Sequence, residues 1–151
     1  MSTQPSTPTL MPVRSFSDVS VGDALPSMTV HVDRARLVQY AGASLDRNRI
    51  HWDEPFAKAV GLPDVIAHGM FTMGSAVTLV SDWAGDAGRV VEYGVRFTRP
   101  VVVPYEAGAD IEVSGVVKSA DPETKRVTVE LTATAAGEKV LGRALAVAVL
   151  D

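Results

Sequence analysis

Cysteine is absent from the 151 residues, which removes disulfide staples, thiolate nucleophiles and cysteine-ligated zinc together. Positive charge is not in excess either. Fourteen Lys and Arg stand against eighteen Asp and Glu, a net charge of −4, so there is no basic field to hold nucleic acid. No apolar run approaches the ~20 residues that span a bilayer. The opening MSTQPSTPTLMPVR lacks the basic stretch and apolar core of a secretory signal. It is expected to be a short disordered tail, residues 1–14, ahead of one domain over 15–151 in the cytoplasm. The chain also carries no G-x-S-x-G elbow, no P-loop and no dinucleotide-binding glycine fingerprint.

What is present is an ordinary globular composition, 46% hydrophobic and 21% charged, in a length that suits one substantial core. Phe16–Pro26 alternates single apolar residues with turn formers and is expected to lie on the domain surface. Ser27–Val32 has the pattern of a short strand. Asp33 is a good N-cap for a helix over Arg34–Ala43, Leu45–Ile50 is a loop, and Asp53 caps a short helix that Gly61 and Pro63 end. Gly69–Trp83 is apolar or small on nearly every face, so it must be enclosed, with Gly74, Ser75 and Ala76 leaving room for close strands. From Val91 onward the period is two. Val91–Phe97, Ile111–Lys118 and Val127–Ala133 alternate, and Val140–Leu150, apolar on both faces, reads as a central strand. Hairpin turns at Ala120–Thr124 and Ala135–Glu138 join the last three. The class is α+β, a mostly antiparallel sheet around one long buried helix.

The chemistry is concentrated in ASLDRNRIHWDEPFAKAVGLPDVIAHGM, Ala43–Met70. Five residues apart, Asp46 and His51 converge on neither a helix nor a strand. They meet only if Leu45–Ile50 folds as a loop, which Asp46 and Asn48 favour through Asx turns. Otherwise Asp46 is an exposed helix end and His51 a packing residue. Asp46-x-Asn48 also resembles the start of a calcium loop, but His51 and Ala57 occupy the sixth and twelfth positions where Gly and Glu belong, and metal is not expected. His68 stands where it could bond the free amides of the next helix. Gly69 opens that helix, where unpaired N–H groups and a partial positive charge favour an oxyanion. A tight turn alone would also use Gly.

Taken as a pair, Asp46-x-Asn48-x-Ile50-His51 and Ala67-His68-Gly69-Met70 resemble the signature of the MaoC-like, hot-dog-fold dehydratases and (R)-specific enoyl-thioester hydratases. The likeness runs on through YAGAS, IHWDE, DWAGD and VVEYGVRFTRPVVVP, and looks strongest toward the catalytic β subunit of an actinobacterial (3R)-hydroxyacyl-ACP dehydratase. The resemblance implies a single hot dog and reversible hydration of a trans-2-enoyl thioester on acyl carrier protein or coenzyme A, with no cofactor; the alternatives are a hot-dog acyl-thioesterase and a non-catalytic acyl-thioester-binding subunit. It implies Asp46, His51 and Gly69 as catalytic groups, with Asn48 and His68 in support. It also implies pairing of two hot dogs, as a homodimer or with a related subunit, through an edge at Val91–Phe97 with Val101-Val102-Val103 adding apolar surface. Arg47, Arg49, Arg96 and Arg99 are either solvated or contacts for phosphates or an acidic carrier. Leu45 and Arg49 stand where the family's usual loop, Ser-Gly-Asp-x-Asn-Pro-Ile-His, has Gly and Pro. If the Gly position needs a positive φ, Leu45 is strained there.

Overall fold

The computed structural model describes residues 12–151; most of the tail expected over 1–14 lies outside them. Within the described part the chain is already packed at Arg14. Its N–H bonds the Ala84 carbonyl at 3.1 Å, and its guanidinium lies over the Trp83 ring.

Three helices precede most of the sheet: α1, Arg34–Ser44; α2, Glu54–Ala59; and α3, Gly69–Ala84. The caps are the ones the side chains dictate. Asp33 accepts from the Arg36 N–H and Asp53 from the Phe56 N–H, each satisfying an amide the helix cannot. α3 ends at Gly85, φ 82°, where a Cβ would lie 2.5 Å from the Pro12 carbonyl oxygen. No helix among the described residues is long and apolar enough to cross a membrane.

The strands are β1, Ala24–Val32; β2, Val90–Phe97; β3, Ala109–Asp121; β4, Arg126–Ala135; β5, Glu138–Lys139; and β6, Leu141–Val149. All pair antiparallel in the order β1-β3-β4-β6-β2, with the short β5 on β4. Strict alternation buries one face of β3 (Ile111, Val113, Val117) and of β4 (Val127, Val129, Leu131, Ala133). β6 lies between β4 and β2, as its two-sided apolar sequence requires. This inner face packs on Ala76, Leu79, Val80 and Ala84 of α3. The result is the expected sheet wrapped on one helix, the hot-dog arrangement. Ala136 and Gly137, φ 50° and 76°, make the tight β4–β5 turn, since two successive positive φ values match the twist of a hairpin.

Several expectations are corrected. β1 begins at Ala24, so the end of the supposed surface segment is strand, with a register shift between Leu25 and Met28, around Pro26, which has no N–H to give the ladder. β2 does not keep its period. Register shifts at Val90/Glu92 and Gly94/Arg96 leave Val91 and Phe97 about half exposed while Tyr93 and Val95 pack inward; each bulge adds a residue and turns the following side chains. Val101 and Val103 are buried rather than surface. The Ala67 N–H bonds the Val101 carbonyl and the Val103 N–H bonds the Val65 carbonyl, a ladder between two segments with no periodic signal. Finally, α3 is not enclosed all round. Met70 is 59% exposed, and a Cβ on Gly74 would meet nothing within 4 Å. The small residue that faces the sheet is Ala76.

Candidate active site

α1 ends at Leu45, whose backbone is left-handed at φ 63°, ψ 7°. This is the position of the family's Gly, and the branched side chain that occupies it is 72% exposed. The reversal aims the chain back along α1 toward α3. Two Asx turns then build the loop. Asp46 Oδ1 accepts from the Asn48 N–H and Asn48 Oδ1 from the Ile50 N–H, both at 3.2 Å. Asn48 thereby caps a single 3-10 turn, Arg49–His51. Arg49 fastens that turn to α2 through Asp53 (2.6 Å) and stacks over Phe56. Trp52 Nε1 closes the loop by donating to the Arg47 carbonyl at 3.1 Å.

This folding brings Asp46 and His51 together: Oδ2 and Nε2 are 3.9 Å apart, beyond a direct hydrogen bond and of a width that one bridging water spans. The two environments differ. His51 is buried and the Asp46 side chain is half exposed. His51 Nδ1 lies 2.7 Å from the Ile66 carbonyl oxygen; a carbonyl only accepts, so Nδ1 carries the proton and Nε2 presents a lone pair. Burial pushes the His51 pKa below 6.5, against the Ile66 hydrogen bond, which raises it. The ring is thus a neutral base at neutral pH. The Ile66 carbonyl has no signature in sequence and was not anticipated.

His68 does not cap α3 with its side chain, contrary to expectation. Its Nε2 reaches back to the Asp46 backbone carbonyl at 3.0 Å, and its ring stacks on His51 at 3.7 Å between centroids and 21° between planes. Asp46, His51 and His68 each bring one potential ligand atom within 4.8 Å of the others. A nitrogen lone pair lies in its ring plane, however, and two stacked planes do not aim theirs at one ion about 2.0–2.1 Å from each.

A cavity of ≈ 320 Å³ opens beside His51, lined by Ile66, Ala67, Gly69, Thr72, Phe97–Val101 and Val140. It is mostly apolar, at the small end of ligand sites. Gly69, first residue of α3, gives the cavity a helix N-terminus. A Cβ there would sit 3.1 Å from the Phe97 ring, so glycine here spares a tight contact rather than supplying an unusual φ. Phe97 was not foreseen as a wall of the site; the β2 alternation gave no sign that its end turns back over α3. Of the arginines, Arg49 and Arg99 are paired, with Asp53 and Glu138, whereas Arg47 and Arg96 form no ion pair among the described residues.

Residues 19–136 match the MaoC like domain family. The chain is 39% identical over 83 residues to 3-hydroxyacyl-thioester dehydratase X of Mycobacterium tuberculosis, spanning 55% of this chain but 29% of that longer protein. It is 32% identical to the (R)-specific enoyl-CoA hydratase of Rhodospirillum rubrum over 83% of this chain and 85% of that one. Among solved structures, a MaoC-like dehydratase superposes with TM-score 0.90 at 48% identity, over 92% of this chain and 43% of that one. One chain of the ChsH1-ChsH2 complex of Mycobacterium tuberculosis shares the fold, with TM-score 0.75 at 23% identity over 86% and 98%. With its family match covering most of the sequence, and a relative of similar length matched nearly end to end, this chain belongs to the MaoC-like dehydratase and hydratase family.

Proposed function

We propose that the chain catalyses reversible addition of water to a trans-2-enoyl thioester, giving a (3R)-hydroxyacyl thioester, in acyl-chain metabolism in the cytoplasm. The observation that carries this reading is the neutral His51 ring, its Nδ1–H tied to the Ile66 carbonyl and its bare Nε2 3.9 Å from Asp46 Oδ2. A water held between these two atoms loses a proton to the dyad as its oxygen bonds to C3. The C2–C3 π electrons move toward the thioester carbonyl, and charge grows on its oxygen near the Gly69 amide at the start of α3. The dyad then delivers a proton to C2, which restores the thioester and resets both side chains. Dehydration runs the same steps backward. Asn48 holds the Asp46 loop through its cap.

The acyl group arrives on coenzyme A or an acyl carrier protein, with Arg47 and Arg96, which form no ion pair among the described residues, as cations for phosphates or an acidic helix. The same reading makes this chain the catalytic member of a pair of hot dogs, like a dehydratase β subunit. Three features support pairing. β2 is an edge strand with no outer neighbour among the described residues; Met70 and Phe97 expose apolar surface beside the cavity; and the 48% identical structure is long enough for a second domain of this size. A partner laid there roofs the cavity.

The deciding assay offers crotonyl-CoA and a longer enoyl-CoA and follows loss of the enoyl chromophore and free thiol separately. Hydration without thiol release is expected; thiol release, or no change in either the chain alone or its pair, overturns the reading. Light scattering tests the homodimer, and co-expression with a neighbouring hot-dog gene product tests the heterodimer. A stable, active monomer defeats both.

A further inference from the structure

His68 remains unexplained by the reaction above. It is 2% exposed and occupies the N-cap position of α3, yet leaves that helix's amides alone. Its Nε2 faces the Asp46 carbonyl across 22 residues of sequence. A carbonyl cannot donate, so Nε2 carries the proton and Nδ1 is a bare lone pair. That Nδ1 is buried with no hydrogen-bond partner among the described residues. An unsatisfied buried polar atom is costly; a side chain that served only to fill space would be apolar. The ring is held on both sides, by His51 stacked at 3.7 Å and by Tyr40 of α1 at 4.8 Å.

We propose that His68 is a positioning residue for the Asp46–His51 dyad, with its Nε2–H donated to the Asp46 carbonyl. This rests on the hydratase reading above. Its one N–H fixes the backbone of Asp46, and its ring face fixes the plane of His51, so a single side chain sets both ends of the 3.9 Å gap. The ionisable groups near this stack are Asp46 from the loop, His51 from the 3-10 turn, Tyr40 from α1 and, on the cavity side, Arg99. The stack also helps keep water from His51, in line with the burial that lowers its pKa.

The first test needs no substrate and no variant. The chain has three histidines, and nitrogen-15 NMR of the unaltered protein between pH 5 and 8 reads the tautomer of each. His68 is expected as the Nε2–H tautomer; a His68 that shows the Nδ1–H tautomer overturns the proposal whatever the enzyme's activity. The second test separates the two roles. His68→Phe keeps the stack and loses the donor, so kcat should fall about 10–100-fold with the acid limb of kcat/KM in place. His68→Gln retains an N–H donor and loses the ring, so water reaches His51 and the acid limb should move to higher pH. Folded variants that both keep kcat and the limb would reduce His68 to packing. An inactive unaltered enzyme with His68 as the Nε2–H tautomer would instead count against the hydratase reading alone.

Discussion

The sheet with α3 and the segment Asp33–His68 are held together by different physics. In the first, Ile111, Val113, Val127, Val129, Ala146 and Val80 are at most 1% exposed, and each contributes area, at about 25 cal/mol per Å² of apolar surface buried. In the second, burial of Leu37, Ala57 and Val65 is joined by single directional bonds that set the loop: Asp33 and Asp53 at helix starts, two Asx turns, Arg49 on Asp53, and His51 on one carbonyl. Area is tolerant of side-chain detail and intolerant of voids. Hydrogen bonds at 3 Å are the reverse. The scaffold half should therefore lose stability before chemistry, and the loop half chemistry before stability.

The sharpest way to break that contrast is at the dyad. Asp46→Asn and His51→Ala should each lower hydration by about 10²–10⁴-fold, the usual worth of a positioned acid–base group, while the melting temperature moves by only a few degrees. A variant at either position that keeps near-normal turnover removes that residue from the mechanism. Gly69→Val comes next. Its Cβ would press on the Phe97 ring and crowd the first amide of α3, so turnover should fall by about 10²–10³, the value of one oxyanion donor. If the folded variant retains its rate, Gly69 serves the close packing of Phe97 only.

Ile111→Ala is the matching cut in the scaffold. A fully buried Ile reduced to Ala costs about 2–5 kcal/mol, read by denaturant unfolding, and kcat well below the melting point should stay within about twofold. A large loss of kcat without loss of stability would show that the sheet shapes the site directly.

The pH dependence joins the two halves. Because burial lowers the His51 pKa below 6.5, the unfolded chain binds more protons than the folded one in the window just below 6.5. Stability from this group is complete above 6.5 and is lost as pH falls through the folded value. The acid limb of kcat/KM should fall in the same window, since the base must be neutral. A limb above 6.5 would contradict the buried, neutral ring.

The smallest expected effect is a gain. Leu45 pays for a left-handed backbone at φ 63° with a side chain that is mostly exposed, and that conformation costs a non-glycine residue about 1–2 kcal/mol. Leu45→Gly should raise stability by up to about 1 kcal/mol once the looser unfolded chain is counted. Arg49→Pro is a milder change. Asn48 before it is already extended, φ −57°, ψ 128°, as a residue preceding proline must be, but the Arg49–Asp53 pair is lost. It should be tolerated with activity intact. Thermal unfolding and turnover of both variants check this, and loss of activity in either would mean that the loop has a conformation of its own.

What the sequence determined by itself is whatever repeats or caps locally. Period-two alternation in β3 and β4, the two-sided run of β6, the aspartates at 33 and 53 and the apolar length of α3 are written in neighbouring residues, and each element formed within a few positions of where these signals stand. The motif pair located the Asp46 loop and the α3 start for a related reason, because both halves are short and contiguous. Only tertiary structure decided the rest. The period of β2 failed because bulges depend on the partner strand. Val101 and Val103 are interior because Val65 and Ala67 pair with them, and nothing local to either segment encodes the other. The tautomer of His51 depends on a backbone carbonyl fifteen residues away, and the second tie of the dyad on a histidine that turns its back on its own helix. Carbonyls are identical along every chain, so which one a ring will meet is a property of the fold alone.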